Sequence, residues 1–274
     1  MTQTLSNTGT GDSVGLSLRQ FAEAWRLMCT GAPGHTLAED GGIYYAFSGR
    51  PIPFFNIALL TDREISTEAL EAQARRACTF AAGKDVPWFF VVTHETLDAG
   101  TDAAAVLDAH GLMPMMPLTG MLASEVASLA VPPAGLDLAV PPDDAACEQA
   151  VDINALAYGM NLDAGKDLIG RQSFWSDHVL VVGRAEGKPA SSAAVMMIDG
   201  YRYVALVATD PACQRRGYAD ATMRQALALA AARFGPSATV LHATAAGRPV
   251  YERMGYTVLS NHTLFMEKRF AEGH

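Results

Sequence analysis

Charge is scarce in this chain of 274 residues: 18% of it is Asp, Glu, Lys or Arg, against 50% hydrophobic. Basic residues are the scarcer sign, 20 against 29 acidic, for a net charge of −9. That balance argues against a nucleic-acid or anionic-membrane partner, because binding such a surface needs a basic face. A cationic amine is compatible with that balance. The cysteines number four (Cys29, Cys78, Cys147 and Cys213), scattered, with no C-x-x-C pair and no histidine at ligand spacing. That pattern argues against a disulfide framework or a zinc site and for reduced thiols. The pair His94-Glu95 lacks the second histidine of a zinc helix, so no metal is expected. No apolar run approaches the roughly 20 residues that cross a bilayer. Residues 1–15 are polar and rich in Ser, Thr and Gly, without the basic start and apolar run of a signal peptide. A cytoplasmic location is the expectation. No G-x-G-x-x-G follows a strand-like run, which removes the main sign of a dinucleotide-binding oxidoreductase.

What is present is a globular composition, long enough for one large domain or two of about 130 residues. Residues 1–16 read as a loose start. A helix is expected over 18–29, with Phe21, Ala24, Trp25 and Met28 on one face, then short strands at 43–47 and 54–60. A helix over 67–82, an apolar strand at 88–92 and a short helix over 103–110, stopped by Gly111, complete the first half. Val131-Pro132-Pro133-Ala134-Gly135 breaks the pattern, which sets a boundary near 127–134 between a domain at 17–130 and one at 135–274. After the strand candidate 136–140 and the turn Pro141-Pro142-Asp143-Asp144, a helix is expected over 145–158. Strands at 179–182, 192–198 and 203–208, a helix over 217–233, a strand at 239–243, a short helix over 247–254 and a closing strand pair to Phe265 follow.

Two local likenesses suggest that the halves are duplicates. Ile57-Ala58-Leu59-Leu60-Thr61-Asp62 matches Ala205-Leu206-Val207-Ala208-Thr209-Asp210. Val106-Leu107-Asp108-Ala109-His110-Gly111-Leu112 matches Val250-Tyr251-Glu252-Arg253-Met254-Gly255-Tyr256. The offset is nearly the same for both, as a repeated unit requires.

The sharpest chemical feature is a strand, the turn Thr209-Asp210-Pro211-Ala212-Cys213, and then Gln214-Arg215-Arg216-Gly217-Tyr218-Ala219 opening a helix. A helix start exposes unpaired N–H groups and the positive end of the dipole, so it can receive a phosphate. Gly217 lets the backbone approach the anion, Ala219 keeps the approach open, and Arg215 and Arg216 add charge. The short segment Gly247-Arg248-Pro249-Val250-Tyr251-Glu252-Arg253-Met254-Gly255-Tyr256 follows the next strand.

With those two segments in that order, the chain over about 135–268 resembles the GNAT superfamily of N-acetyltransferases. The resemblance implies a mixed α/β (α+β) fold, here in tandem, each half a mostly antiparallel sheet flanked by helices. It implies acetyl-CoA as co-substrate, its pyrophosphate cradled by Gln214, Arg215, Arg216, Gly217, Tyr218 and Ala219. Its pantetheine arm and acyl carbonyl would lie along Leu206, Val207 and Ala208, and Tyr251 would face the thiol. The implied reaction is direct attack of a primary amine, of a small molecule or a peptide, on the thioester. Backbone N–H groups of Leu206 or Ala208 would serve the oxyanion, and Tyr251 would act as general acid. Some family members carry a carboxylate on the strand before the turn; this chain has Tyr203 there, so no base carries over. His242, the pair Asp177 and His178, and ordered water remain open as routes for the proton. Cys213 sits at the phosphate turn and reads as structural. The segment 154–176, with Asp163, Asp167, Phe174 and Trp175, is expected over the acceptor cleft.

In the first half, Ser66-Thr67-Glu68-Ala69-Leu70-Glu71 takes the place of the phosphate turn and Leu107 that of Tyr251. Two glutamates would repel a pyrophosphate, so the first half reads as a GNAT-like domain without a coenzyme site, serving to shape the cleft, pair with the working half or form a homodimer. The alternative to an enzyme is a non-catalytic acyl-CoA-binding sensor or partner module.

Overall fold

The computed structural model describes residues 12–128 and 131–271. Helix α1 (Ser13–Thr30) opens it, starting inside the stretch expected to be loose, because the Asp12 carboxylate accepts from the Gly15 N–H at 2.9 Å and caps the first turn. Strands β1 (Thr36–Asp40), β2 (Ile43–Phe47) and β3 (Asn56–Leu60) lead to α2 (Thr67–Ala82), β4 (Phe89–Thr93), α3 (Ala103–Asp108) and β5 (Leu112–Ala123). The second half runs β6 (Leu136–Ala139), α4 (Asp144–Tyr158), α5 (Lys166–Ile169), β7 (Val179–Ala185), β8 (Lys188–Ile198) and β9 (Tyr201–Thr209). It continues with α6 (Tyr218–Phe234), β10 (Thr239–Thr244), α7 (Arg248–Arg253), β11 (Thr257–Glu267) and α8 (Lys268–Ala271).

The run from β3 to β5 repeats from β9 to β11 in element order and strand direction, since only β3–β4 and β9–β10 pair in parallel. The matched segments of the sequence fall at equivalent places, with Gly111 and Gly255 both at positive φ before the final strand of their half.

The halves nevertheless share one sheet of 11 strands, in the order β1-β2-β3-β4-β11-β5-β10-β9-β8-β7-β6. Each half has given its closing strand to the other: β11 lies against β4 and β5 against β10, while β5 and β11 pair with each other along most of their length. The expected closing strand pair to Phe265 is therefore a single strand whose partners both come from the first half. Strand β5 escapes a propensity reading because it carries Pro114, Pro117 and Gly120. Strand β10 pairs only Leu118 to Ala123 of it, so over the two prolines β5 has an open side where a missing N–H is tolerated. Glu95 pins the exchange, accepting from the backbone N–H (2.9 Å) and side-chain amide (2.8 Å) of Asn261 on β11.

Helices cover both faces, so the central strands read as continuous apolar runs rather than alternating ones. Ile57, Leu59, Phe89, Val91, Leu180 and Val182 point to a core under α1, α4 and α5 that spans both halves. Their neighbours Ala58, Leu60, Phe90 and Val92 pack under α2 and α3, and Val179 and Val181 under α6. No helix among the described residues is long and apolar enough to cross a membrane.

Candidate active site

Strands β9 and β10 stay paired only over Arg202–Val204 and Thr239–Leu241, then part. At the parting β9 bulges: Ala194 faces Ala205 and Ser192 faces Ala208, which leaves Leu206 and Val207 out of register, Leu206 at φ 50°. The bulge is held from behind. The Leu206 carbonyl accepts from Ser192 Oγ at 2.8 Å and Asn154 Nδ2 at 3.4 Å, and the Val207 carbonyl from the Tyr158 hydroxyl at 3.3 Å.

Beyond the bulge, Asp210 accepts from the Ala212 N–H at 2.8 Å and turns the chain into the loop ahead of α6. Gly217 takes the N-cap position of α6 at φ 76°, with no side chain closing the helix start. A Cβ added there would meet only Pro133 Cγ, at 3.8 Å, so what glycine supplies is the left-handed backbone and not space. Arg215, itself at φ 61°, and Arg216 are exposed, and neither forms an ion pair among the described residues. The Tyr218 ring is turned away into a small core with Leu136, Ala190 and Ala221, so only its backbone faces outward. Asp220 in the first turn is neutralised by Arg224 at 2.9 Å.

This helix start forms one groove with β9 and α7. Val207, Ala208, Gln214, Arg215, Gly217 and Ala219 line one side and Thr244, Gly247 and Tyr251 the other. Burial, with Tyr158 and Tyr256 nearby, pushes the Tyr251 hydroxyl well above its ordinary range, so it holds its proton. Gly247 makes room for that ring: a Cβ there would stand 3.1 Å from Tyr251 Cε2.

Through Tyr158 and Thr244 the groove meets a second space, a cavity of about 160 Å³ on the other side of the parted strands. The first half supplies Trp25, Met28, Phe54, Phe55, Met116 and Leu118 to its wall, the second half Asn154, Met160, Leu162, Ile169, Tyr203, Ala205, Leu206 and His242. The covering segment is the one expected, but its carboxylates are not in the cavity. Asp163 is exposed and paired with Lys166, and Asp167 with Arg50. Phe174 and Trp175 pack on each other and His178, and the Trp175 indole donates to the Ile169 carbonyl at 2.8 Å. His178 lies along a different cleft, with Arg233, so the pair Asp177 and His178 is not brought to the parted strands.

His242 is brought there, but with both ring nitrogens engaged. Nδ1 lies 2.9 Å from the Tyr203 hydroxyl and Nε2 2.9 Å from Ser17 Oγ of α1. Ser17 Oγ accepts from Ser260 at 2.7 Å, Ser260 contacts His262 Nε2 at 2.8 Å, and His262 Nδ1 meets Thr93 Oγ1 at 2.8 Å. Burial, then the neighbouring His262, holds His242 well below the usual histidine range; burial takes His262 to about 4. Burial also pushes the Tyr203 phenol up, so it is the donor, and the network assigns His242 Nε2–H toward Ser17. Nothing in the sequence signalled this chain of hydroxyls and imidazoles, whose members come from α1, β4, β9, β10 and β11.

In the first half the equivalent helix start is closed. Ser66 caps α2 by accepting from the Ala69 N–H at 3.3 Å and donates to Glu68 at 2.9 Å, so side chains occupy the place of an anion. Leu107 is fully buried.

A bulged strand parting from its parallel neighbour, followed by an uncapped helix start, is the architecture of the acyl-CoA N-acyltransferase fold. Residues 169–270 match the family model of the acetyltransferase (GNAT) domain. The whole fold is similar to a GCN5-related N-acetyltransferase from Kribbella flavida, at TM-score 0.68 and 18% identity over 93% of this chain and 96% of that one. It is also similar to a tandem GNAT protein from the clavulanic acid biosynthesis pathway (0.54, 13%, 93% and 96%). A third likeness is to an acetyltransferase assigned to the GNAT family from Novosphingobium aromaticivorans (0.52, 17%, 84% and 90%). No curated protein sequence matches the chain. The chain has the GNAT fold.

Proposed function

We propose that the protein is an N-acetyltransferase that moves the acetyl group of acetyl-CoA to a primary amine by direct attack. Residues 135–274 would be the working domain and 17–130 a GNAT-like domain without a coenzyme site. The observation that carries this reading is the groove in which the uncapped start of α6, with Gly217 at φ 76° and Arg215 in its wall, faces Tyr251 across the parted strands; Arg216 is exposed beside it, outside the lining. The residues fit the coenzyme: unpaired N–H groups and Arg215 and Arg216 suit a pyrophosphate. Beyond Val204 strand β9 has no partner on its β10 side among the described residues, and backbone N–H groups of Leu206, Val207 and Ala208 would meet an amide-containing arm there.

The thioester supplies the electrophilic carbon. N–H groups of the bulge would meet the oxyanion as it forms. Tyr251, held protonated, donates at the departing sulfur. The proton lost by the nitrogen passes to the Tyr203–His242 pair and on to solvent. The acceptor would be a small molecule or a peptide amine, in the cytoplasm.

Release of free thiol from acetyl-CoA over an amine panel tests the reading. Turnover lost in Tyr251→Phe and in Gly217→Glu supports it, and turnover unchanged in both sinks it. One observation favours a second reading, a non-catalytic acyl-CoA-binding module: among the described residues no carboxylate lines the cavity at the parted strands, and both nitrogens of His242 are engaged. Tight acetyl-CoA binding with no turnover on any amine would select it.

A further inference from the structure

We infer that the acceptor is an amine whose nitrogen is already uncharged at neutral pH, carried on a single apolar ring: an arylamine that seats its ring between the two halves of the protein. The inference rests on the acetyltransferase reading above and deepens it. The cavity joined to the coenzyme groove measures about 160 Å³, close to the roughly 150 Å³ of an apolar cavity that takes one benzene ring. Its wall is mostly apolar and aromatic, with Asn154, Thr244, Tyr158, Tyr203 and His242 as its polar members, and among the described residues no Asp, Glu, Lys or Arg belongs to it. The titratable groups that face it are Tyr203 of β9, His242 of β10 and Tyr158 of α4, with His262 of β11 behind His242.

An alkylammonium brought here would have no counter-charge, and burying an unpaired cation costs several kcal/mol. It would also need acceptors for three N–H bonds. The Leu206 carbonyl already accepts from Ser192 and Asn154, the Val207 carbonyl from Tyr158, and both nitrogens of His242 are engaged by Tyr203 and Ser17; the oxygens left on the wall, those of Asn154, Thr244 and the tyrosine hydroxyls, are neutral and offset no charge. The carboxylates of the covering segment face solvent in ion pairs. An arylamine avoids both costs, because its lone pair is delocalised into the ring and the nitrogen enters unprotonated. The chemistry then balances without a strong base. The N–C bond forms as the C–S bond breaks, Tyr251 protonates the sulfur, and the acidified N–H of the adduct gives its proton to the Tyr203 side.

Aniline and cyclohexylamine, nearly equal in size and different in charge, make the test, with thiol release from acetyl-CoA as one readout and calorimetric binding to the coenzyme-loaded protein as the other. The expected result is a kcat/KM at least tenfold higher for aniline at pH 7.5, flat from pH 6.5 to 9. For cyclohexylamine it should rise about tenfold per pH unit as the small neutral fraction grows. Ala205→Leu, which fills the cavity, should abolish aniline binding and leave acetyl-CoA affinity within twofold. Equal or faster turnover of cyclohexylamine at pH 7.5 overturns the inference and leaves the acetyltransferase reading standing. So does a lower KM for hexanoyl-CoA than for acetyl-CoA that is lost in Ala205→Leu, since the cavity would then hold the acyl chain. Aniline bound in the cavity with no turnover of any amine sinks the enzyme reading and keeps the assignment of the pocket, and failure of aniline to bind sinks that assignment.

Discussion

The phenol of Tyr203 on β9 lies 2.9 Å from Nδ1 of His242 on β10, and this hydrogen bond crosses from one parted strand to the other at the wall of the cavity. Neither residue is free to act alone. Tyr203 holds its proton, His242 is neutral, and the second nitrogen of His242 is committed to Ser17.

If the pair receives the amine proton as a unit, its members are not additive. Tyr203→Phe and His242→Gln should each lower kcat about ten- to a hundredfold, and the double variant should fall little further. Acetyl-CoA affinity should stay within twofold, because the groove does not use either residue. Kinetics of the two single variants and the double variant check this, and multiplying effects would assign the residues separate roles.

The two imidazoles also make a statement about stability. His262 titrates at about 4 in the folded chain against 6.5 when unfolded, so the unfolded chain binds the extra proton between these values. Above pH 6.5 neither state is protonated and the difference vanishes. As pH falls from 6.5 to 4 the folded state loses up to about 3 kcal/mol from this residue, 1.36 kcal/mol per unit. His242, lowered in the same direction, adds to the slope. Urea unfolding at pH 7, 5.5 and 4.5 should show the loss, and His262→Gln should make the curve shallower by about one proton.

What was legible in the sequence was what is local. The uncapped helix start needs only Gly217 and its neighbours, and the closed start of the first half needs only Ser66 and Glu68. In the first half the missing glycine and the two glutamates were the legible signs; that Ser66 caps the helix start appears only in the structure. The cavity was not legible, because Trp25, Met116 and Leu206 meet only after the sheet is assembled. Nor was it legible that the acidic residues of its cover, Asp163 and Asp167, are paired at the surface with Lys166 and Arg50. The strand exchange was hidden for the same reason: the partners of β5 and β11 are chosen by tertiary pairing that no window of sequence contains.

Gly120 of β5 is the point at which the exchange leaves no room. A Cβ there would stand 2.2 Å from Ser17 Oγ, 2.5 Å from Ser260 Oγ and 3.2 Å from His242 Nε2, inside the hydrogen-bonded knot. Gly120→Ala should therefore cost about 1–3 kcal/mol by overpacking and lower activity through His242. Adding Ser17→Ala relieves one of the two clashes and should recover part of the stability. Thermal unfolding of the single and double variants measures both, and no loss in Gly120→Ala would mean that the knot is loose.

Tyr251 and Gly247 separate the chemistry from its positioning. Removing the hydroxyl in Tyr251→Phe should lower kcat by about 10²–10³ while KM for acetyl-CoA changes less than threefold, as for an acid that acts only in the transition state. Gly247→Ala keeps the hydroxyl but sets a methyl 3.1 Å from the ring edge, so the ring must shift by a few tenths of an ångström. Its kcat should fall less, about three- to tenfold, with little effect in the Tyr251→Phe background. A full loss in Gly247→Ala with Tyr251→Phe near wild type would reverse the assignment: the small residue would then matter for the approach of the coenzyme, and the phenol would only fill space.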